Sequence, residues 1–193
     1  MRLMTILALL LGALVSPALA GPNDPWTLDM RASKLGFNAQ QTGQFINGRF
    51  ERWTGDIVLD PANPATARID IRIEMKSAKT SSKDVDDLLH GRDFFDVARH
   101  AEGRFTASEV RALGGDRFEA RGKLTIRDVT RDVALPFTLS VSDGAGGALA
   151  ARARGRLSVK RLDYGVGRNE FANTNHVADD VTIELEIVAS RPK

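Results

Sequence analysis

Apolar residues recur at every second position through most of this chain. In Ile69-Asp-Ile71-Arg-Ile73-Glu-Met75 the odd positions are apolar and the even positions charged. The same period runs through Val133, Leu135, Phe137, Leu139 and Val141, and through Leu149, Ala151, Ala153, Gly155, Leu157 and Val159. It returns from Val181 to Ile187, where Thr182, Glu184 and Glu186 are the polar positions. Side chains alternate faces along an extended strand, so each segment presents one apolar and one polar face. Shorter strands are expected at Trp26–Met30, Lys34–Ala39, Gly48–Leu59, Arg104–Leu113 and Phe118–Ile126. Asp60-Pro-Ala-Asn-Pro64, Gly114-Gly-Asp116 and Asp143-Gly-Ala-Gly-Gly147 supply turn residues between them.

The strand pattern is interrupted by one helix, expected from about Ser82 to His90. Ser81 or Ser82 can cap it, Asp84, Asp86 and Asp87 suit its first turn, and Gly91 stops it. Val85, Leu88 and Leu89 form its apolar stripe, and the adjacent pair Phe94-Phe95 follows. About eight antiparallel strands in meander order with short turns predict an all-β fold. A closed barrel leaves no exposed sheet edge and, at eight strands, has room for one slender ligand. A β-sandwich has the same periodicity and stays open at this level. The small residues Ala151, Ala153 and Gly155 on one strand face favour a hollow interior over a filled one.

The first twenty residues read as a leader rather than as part of the fold. Arg2 precedes an apolar run from Ile6 to Val15, and Ala18-Leu19-Ala20 forms a small-residue cleavage site before Gly21. The apolar run is too short to cross a bilayer, which takes about 20 residues. Residues 21–193 are then expected to form one exported domain, with the periplasm as its compartment. The chain has no cysteine, so an exported domain of this size rests on its core rather than on disulfides. Thiol nucleophiles and thiolate metal sites are excluded with it. The net charge of +2 is made of 27 basic and 25 acidic residues interspersed along the chain, which gives no nucleic-acid footprint. No G-x-S-x-G elbow is present. His90 and His100, beside Asp93, Asp96 and Glu102, do not have metal-site spacing. No catalytic residue, metal or cofactor is therefore expected.

Short signatures recur in a fixed order. They are Trp26-Thr-Leu-Asp29, Ser33-Lys-Leu-Gly-Phe37, Gly48-Arg-Phe50, Gly55-Asp-Ile-Val-Leu-Asp60, the helix start at Thr80 to Asp87, and Asp93-Phe-Phe-Asp96. Gly122-Lys-Leu-Thr-Ile126, Val129-Thr130, Leu135-Pro-Phe137, Arg161-Leu-Asp-Tyr-Gly165 and Asp180-Val-Thr-Ile183 complete the set. Each is weak alone; together and in order the set resembles the YceI-like family of periplasmic, polyisoprenoid-binding, lipocalin-like proteins. Arg99-His-Ala-Glu102 and Asp128-Val129 depart from the family pattern at two loops. The resemblance implies an extended lipocalin-like antiparallel β-barrel with a short helix across it. It also implies an apolar channel for an isoprenoid tail, such as that of an isoprenoid quinone or a polyprenyl phosphate.

On that frame the lipid-binding candidates are Phe37, Phe45, Phe50, Phe94, Phe95, Phe105, Leu124, Phe137 and Tyr164. Each is equally readable as core packing. Phe94 and Phe95 are expected to point apart, one plugging the barrel and one touching ligand or helix. Arg161 is the head-group candidate, since guanidinium suits phosphate or a quinone carbonyl; the competing reading is an Arg–Asp pair that pins a turn. Asp93 and Asp96 are expected as loop caps or as partners of Arg92 and Arg99. The stripe Arg152, Arg154 and Arg156 either touches anionic lipid at a membrane surface or is an outer face balanced by neighbouring carboxylates. The expected function is that of a carrier for a long isoprenoid lipid, not an enzyme. The rival is a packed barrel acting as a structural or stress-response interaction protein. The oligomeric state is left open, a dimer among the options.

Overall fold

The computed structural model describes Gly21 and residues 24–193; the expected leader, residues 1–20, lies outside the described residues. Among the described residues eleven strands form one antiparallel sheet. They are β1 (Thr27–Leu28), β2 (Lys34–Gln41), β3 (Gln44–Phe50), β4 (Trp53–Val58), β5 (Arg68–Glu74), β6 (Ala78–Lys79), β7 (Glu102–Gly114), β8 (Arg117–Ile126), β9 (Val129–Asp143), β10 (Leu149–Lys160) and β11 (Asp180–Arg191). Among the described residues the one α-helix, α1, spans Lys83–His90.

The sheet runs β4-β5-β7-β8-β9-β10-β11-β2-β3-β6, with β1 also on β11. Its two ends meet through the chain itself. β5 and β6 are joined by one 3-10 turn, Met75–Ser77. β5 pairs with β4 (Trp53 opposite Ile73), whereas β6 pairs with β3 (Phe50 opposite Ala78). Thus β3–β4 and β5–β6 are two long strands, each bent once, lying side by side. Counted this way the sheet closes through eight staves, as the alternation predicts.

The expected single strand Gly48–Leu59 is therefore broken at Glu51-Arg52, and its first part starts earlier, at Gln44. The cause is a change of phase. Phe50 and Ile46 are the less exposed positions of β3, on even numbers, whereas Trp53, Gly55 and Ile57 are the less exposed positions of β4, on odd numbers. The phase must shift by one residue for both apolar sets to face inward, and the shift falls at the polar pair Glu51-Arg52. The hairpin between β2 and β3 turns on Thr42 and Gly43, both at positive φ (49° and 81°), the twist that a two-residue hairpin needs. The expected strand Trp26–Met30 shortens to two residues, with Trp26 forming a single bridge to Ile57.

Beyond Gly36 and Arg49, β2 and β3 part, and the seam between the β1–β2 and β3–β4 staves is next held at the Trp26–Ile57 bridge. Helix α1 starts on Ser82, whose hydroxyl accepts from the Val85 amide at a loose 3.5 Å. Gly91 ends it with extended backbone (φ −69°) rather than the left-handed turn that a helix-stopping glycine suggests. A side chain there would sit 3.1 Å from the Leu88 carbonyl.

Candidate functional site

The inward faces of the staves enclose two apolar cavities, one behind the other. The larger, about 160 Å³, lies under α1 and the loop that carries Phe94 and Phe95. The smaller, about 100 Å³, lies towards Trp26. Leu35, Ile71, Phe105, Leu135 and Leu185 line both and form a belt between them. Ala151 and Ala153 line the smaller one, so the short side chains of β10 leave space where larger ones would fill it.

Seven of the nine lipid-binding candidates line the larger cavity: Phe37, Phe50, Phe94, Phe95, Phe105, Leu124 and Tyr164. Phe137 lines the smaller. Phe37, Phe50 and Phe95 form one aromatic group, with ring centres 5.5 to 6.5 Å apart, the tilted spacing that aromatic pairs favour. Phe94 turns the other way onto Phe171, 5.0 Å between centres. The pair diverges as expected, yet both rings border the same cavity.

Phe45 does not belong with them. It is 69% exposed beside the β2–β3 turn. Its odd position puts it on the outer face of a strand whose even positions face in, so period two excludes it from any channel that Phe50 lines.

Arg161 lines the cavity wall but has no donor to offer. It sits in the 3-10 turn Arg161–Tyr164, 4% exposed. Its Nε donates to the Ala178 carbonyl (2.9 Å), Nη1 to Val166 and Gly167 (2.9 and 3.0 Å), and Nη2 to Phe171 and Val177 (2.8 and 2.7 Å). A guanidinium has five N–H groups, and all five are spent on backbone carbonyls. It pins the turn as the competing reading expects, but against carbonyls rather than Asp163. Burial lowers its pKa, with Asp179 the charge that works the other way. Tyr164 is 2% exposed. Burial raises its pKa and keeps the hydroxyl neutral, against the pull of nearby Arg131.

A buried arginine that the sequence reading missed is Arg127, 8% exposed in the two-residue β8–β9 turn at φ 57°. Its Nη1 lies 3.1, 2.5 and 3.0 Å from the carbonyls of Arg92, Phe94 and Gly165. It also takes the partner role expected of Arg92 and Arg99 for Asp96, with Nη2 3.7 Å from that carboxylate. Asp93 accepts instead from Asn169 Nδ2 at 2.6 Å. A turn arginine leaves no periodic trace; only its place in an otherwise small-residue hairpin position could have drawn notice.

The outer faces are balanced. Arg152 and Arg154 both pair with Glu186, and Arg156 pairs with Glu184 at 3.0 Å. These are the cross-strand neighbours that the β10–β11 register supplies. His90 points Nε2 at the Ala78 carbonyl, 3.1 Å away. Among the described residues no group of three or more histidines and acids is placed to hold a metal.

Arrangement and order can be set beside known proteins. A 28% identical UPF0312 protein of Photorhabdus laumondii aligns over 166 residues, 83% of this chain and 86% of its own length. The crystal structure of Burkholderia cenocepacia BcnA is 28% identical and superposes with a TM-score of 0.77, over 84% of this chain and 99% of that one. A polyisoprenoid binding domain from Saccharophagus degradans, 16% identical, shares the fold with a TM-score of 0.63 over 86% and 98% of the two chains. The model of the YceI-like domain matches residues 26–189, which takes in the bridge at Trp26, every stave of the barrel and both cavities: this chain belongs to the YceI-like family.

Proposed function

We propose that this protein binds a long isoprenoid lipid in its barrel and carries it as a periplasmic binding protein rather than acting on it. The observation that carries the reading is the pair of cavities in line, walled almost wholly by carbon. Each alone falls below the roughly 300–1,000 Å³ of a drug-sized ligand site. A slender, flexible chain threading past the belt uses both, whereas a bulky rigid ligand fits neither. Burial of apolar tail would drive binding at about 25 cal/mol per Å², before the cost of ordering the tail.

The way in lies where β2 and β3 part. Leu35, Phe50 and Trp53 face an open depression on the outside and also border the cavities within. The wall there is one side chain thick and is not stitched by a backbone ladder. An isoprenoid quinone and a polyprenyl phosphate both satisfy the tail requirement. That the Saccharophagus domain of the same fold is described as polyisoprenoid binding supports the class.

The test is to purify the protein from its native host, denature it and analyse the organic extract by mass spectrometry. A stoichiometric isoprenoid is expected. An empty protein that also takes up no added quinone would favour the packed-barrel interaction protein instead.

A further inference from the structure

Several strand arginines are matched to acids: Arg104, Arg121, Arg154 and Arg156 each have a carboxylate oxygen within 3.0 Å. At the α1 end of the barrel four arginines without so close a carboxylate gather in one place. An open polar depression of about 510 Å³ is lined by Arg92, Arg99, Arg127 and Arg168. Among the described residues none of these four has a carboxylate closer than the 3.7 Å between Arg127 and Asp96. The other acid in the depression, Asp93, accepts from the Asn169 amide.

Two observations mark the arginines here as incompletely satisfied. Arg127 is 8% exposed, yet its Nε has no hydrogen-bond partner. A buried donor left idle costs free energy and in native proteins usually has a partner or a ligand. Arg127 Nη1 and Arg168 Nε also converge on one carbonyl, that of Gly165, each at 3.0 Å. Two guanidinium groups drawn to one neutral oxygen repel each other, and Arg168 adds to burial in lowering the Arg127 pKa, against the opposing pull of Asp96, Asp128 and Asp93. An anion held between the two guanidinium groups would relieve their repulsion.

We propose that this depression is an anion site for a phosphate or diphosphate group, with Arg127 and Arg168 at its floor and Arg92 and Arg99 at its rim. Planar guanidinium forks match phosphate oxygens in pairs. The site backs onto the larger cavity. The Phe94 carbonyl bonds Arg127 outside while the Phe94 ring lines the cavity inside, and Val166 follows Gly165 on the same wall. The group is either a free phosphate ion or the head of an isoprenoid phosphate, the latter resting on the function proposed above.

Titration calorimetry with inorganic diphosphate on residues 21–193 tests the site. Arg168→Ala and Arg92→Ala are the variants, because both residues are exposed, and circular dichroism checks that each folds. Binding by the wild type, weakened about tenfold or more by Arg168→Ala, is the expected result. Geranylgeranyl diphosphate and geranylgeraniol then distinguish the sources. A diphosphate advantage that Arg168→Ala removes assigns the site to a lipid head, and equal binding of the two lipids assigns it to the free ion. If neither lipid binds but inorganic diphosphate does, the anion site stands and the lipid reading falls. No response to millimolar diphosphate in wild type or variants overturns the site, and geranylgeraniol binding in the same samples would leave the lipid reading intact.

Discussion

Arg161 shows how much a single residue decides at this end of the barrel. Five carbonyls from three loop segments converge on its five donors, so the segments Val166–Gly167, Phe171 and Val177–Ala178 are held by one side chain. Lysine keeps the charge but has three donors on a point. Arg161→Lys is expected to lower stability by about 3 kcal/mol, measured by urea unfolding. Asp86 makes a second residue-scale case. It is 4% exposed and accepts from the Thr80 amide (2.6 Å), the Thr80 hydroxyl (2.8 Å) and Lys79 Nζ (3.1 Å). Burial pushes its pKa up, but these donors together outweigh burial and hold it below the ordinary carboxylate value. A carboxyl depressed in the folded state adds stability above its unfolded pKa of about 3.9 and loses it as pH falls through the folded value. Asp86→Asn is expected to lower the thermal midpoint at pH 7 and to flatten its fall below about pH 4.

At the scale of elements, β10 sets the bore of the channel. Ala153 borders the smaller cavity, and Ala153→Trp would fill it while leaving the larger one open. Long isoprenoids should then lose affinity while short ones keep theirs, measured by displacement titrations across a chain-length series. Phe94→Ala or Phe95→Ala should weaken binding of all lengths by widening the larger cavity beyond a close fit; unchanged affinity in a folded variant would exclude those rings from the site. The elements themselves were largely legible from sequence. Alternation places every long strand because one face is buried and the other wet, and the Ser82 cap with Asp84 and Asp86 marks α1. What escaped has physical causes. The Phe45 misassignment came from choosing residues by type rather than by parity. The break at Glu51-Arg52 is visible as a one-residue phase shift between Phe50 and Trp53, but only when both flanking runs are followed together. Arg127 and Arg161 act through backbone carbonyls, and carbonyl partners leave no signature in a sequence.

For the whole molecule, Trp26 is the residue that ties the start of the barrel to its last strand. It is 6% exposed, donates from its indole Nε1 to the Leu59 carbonyl at 2.9 Å, and lies under the Arg191 guanidinium, 4.6 Å from the ring centre. Trp26→Ala removes the stopper of the smaller cavity and this tie together. It is expected to cost about 3–5 kcal/mol, read from the shift of the denaturation midpoint.

The same seam has a bearing on when the chain can fold. Thr27 pairs with Ser190 and Leu35 with Leu185, so the first and last strands are neighbours separated by almost the whole sequence. Until β11 has been synthesised, β10 and β2 each lack the partner on one side, and no earlier length of chain can complete the ring. Contacts this distant along the chain form late and slowly. A nascent chain of this design stays open throughout its making, the state in which a polypeptide can still be threaded across a membrane. It becomes a closed vessel only after its last twelve-residue strand has arrived.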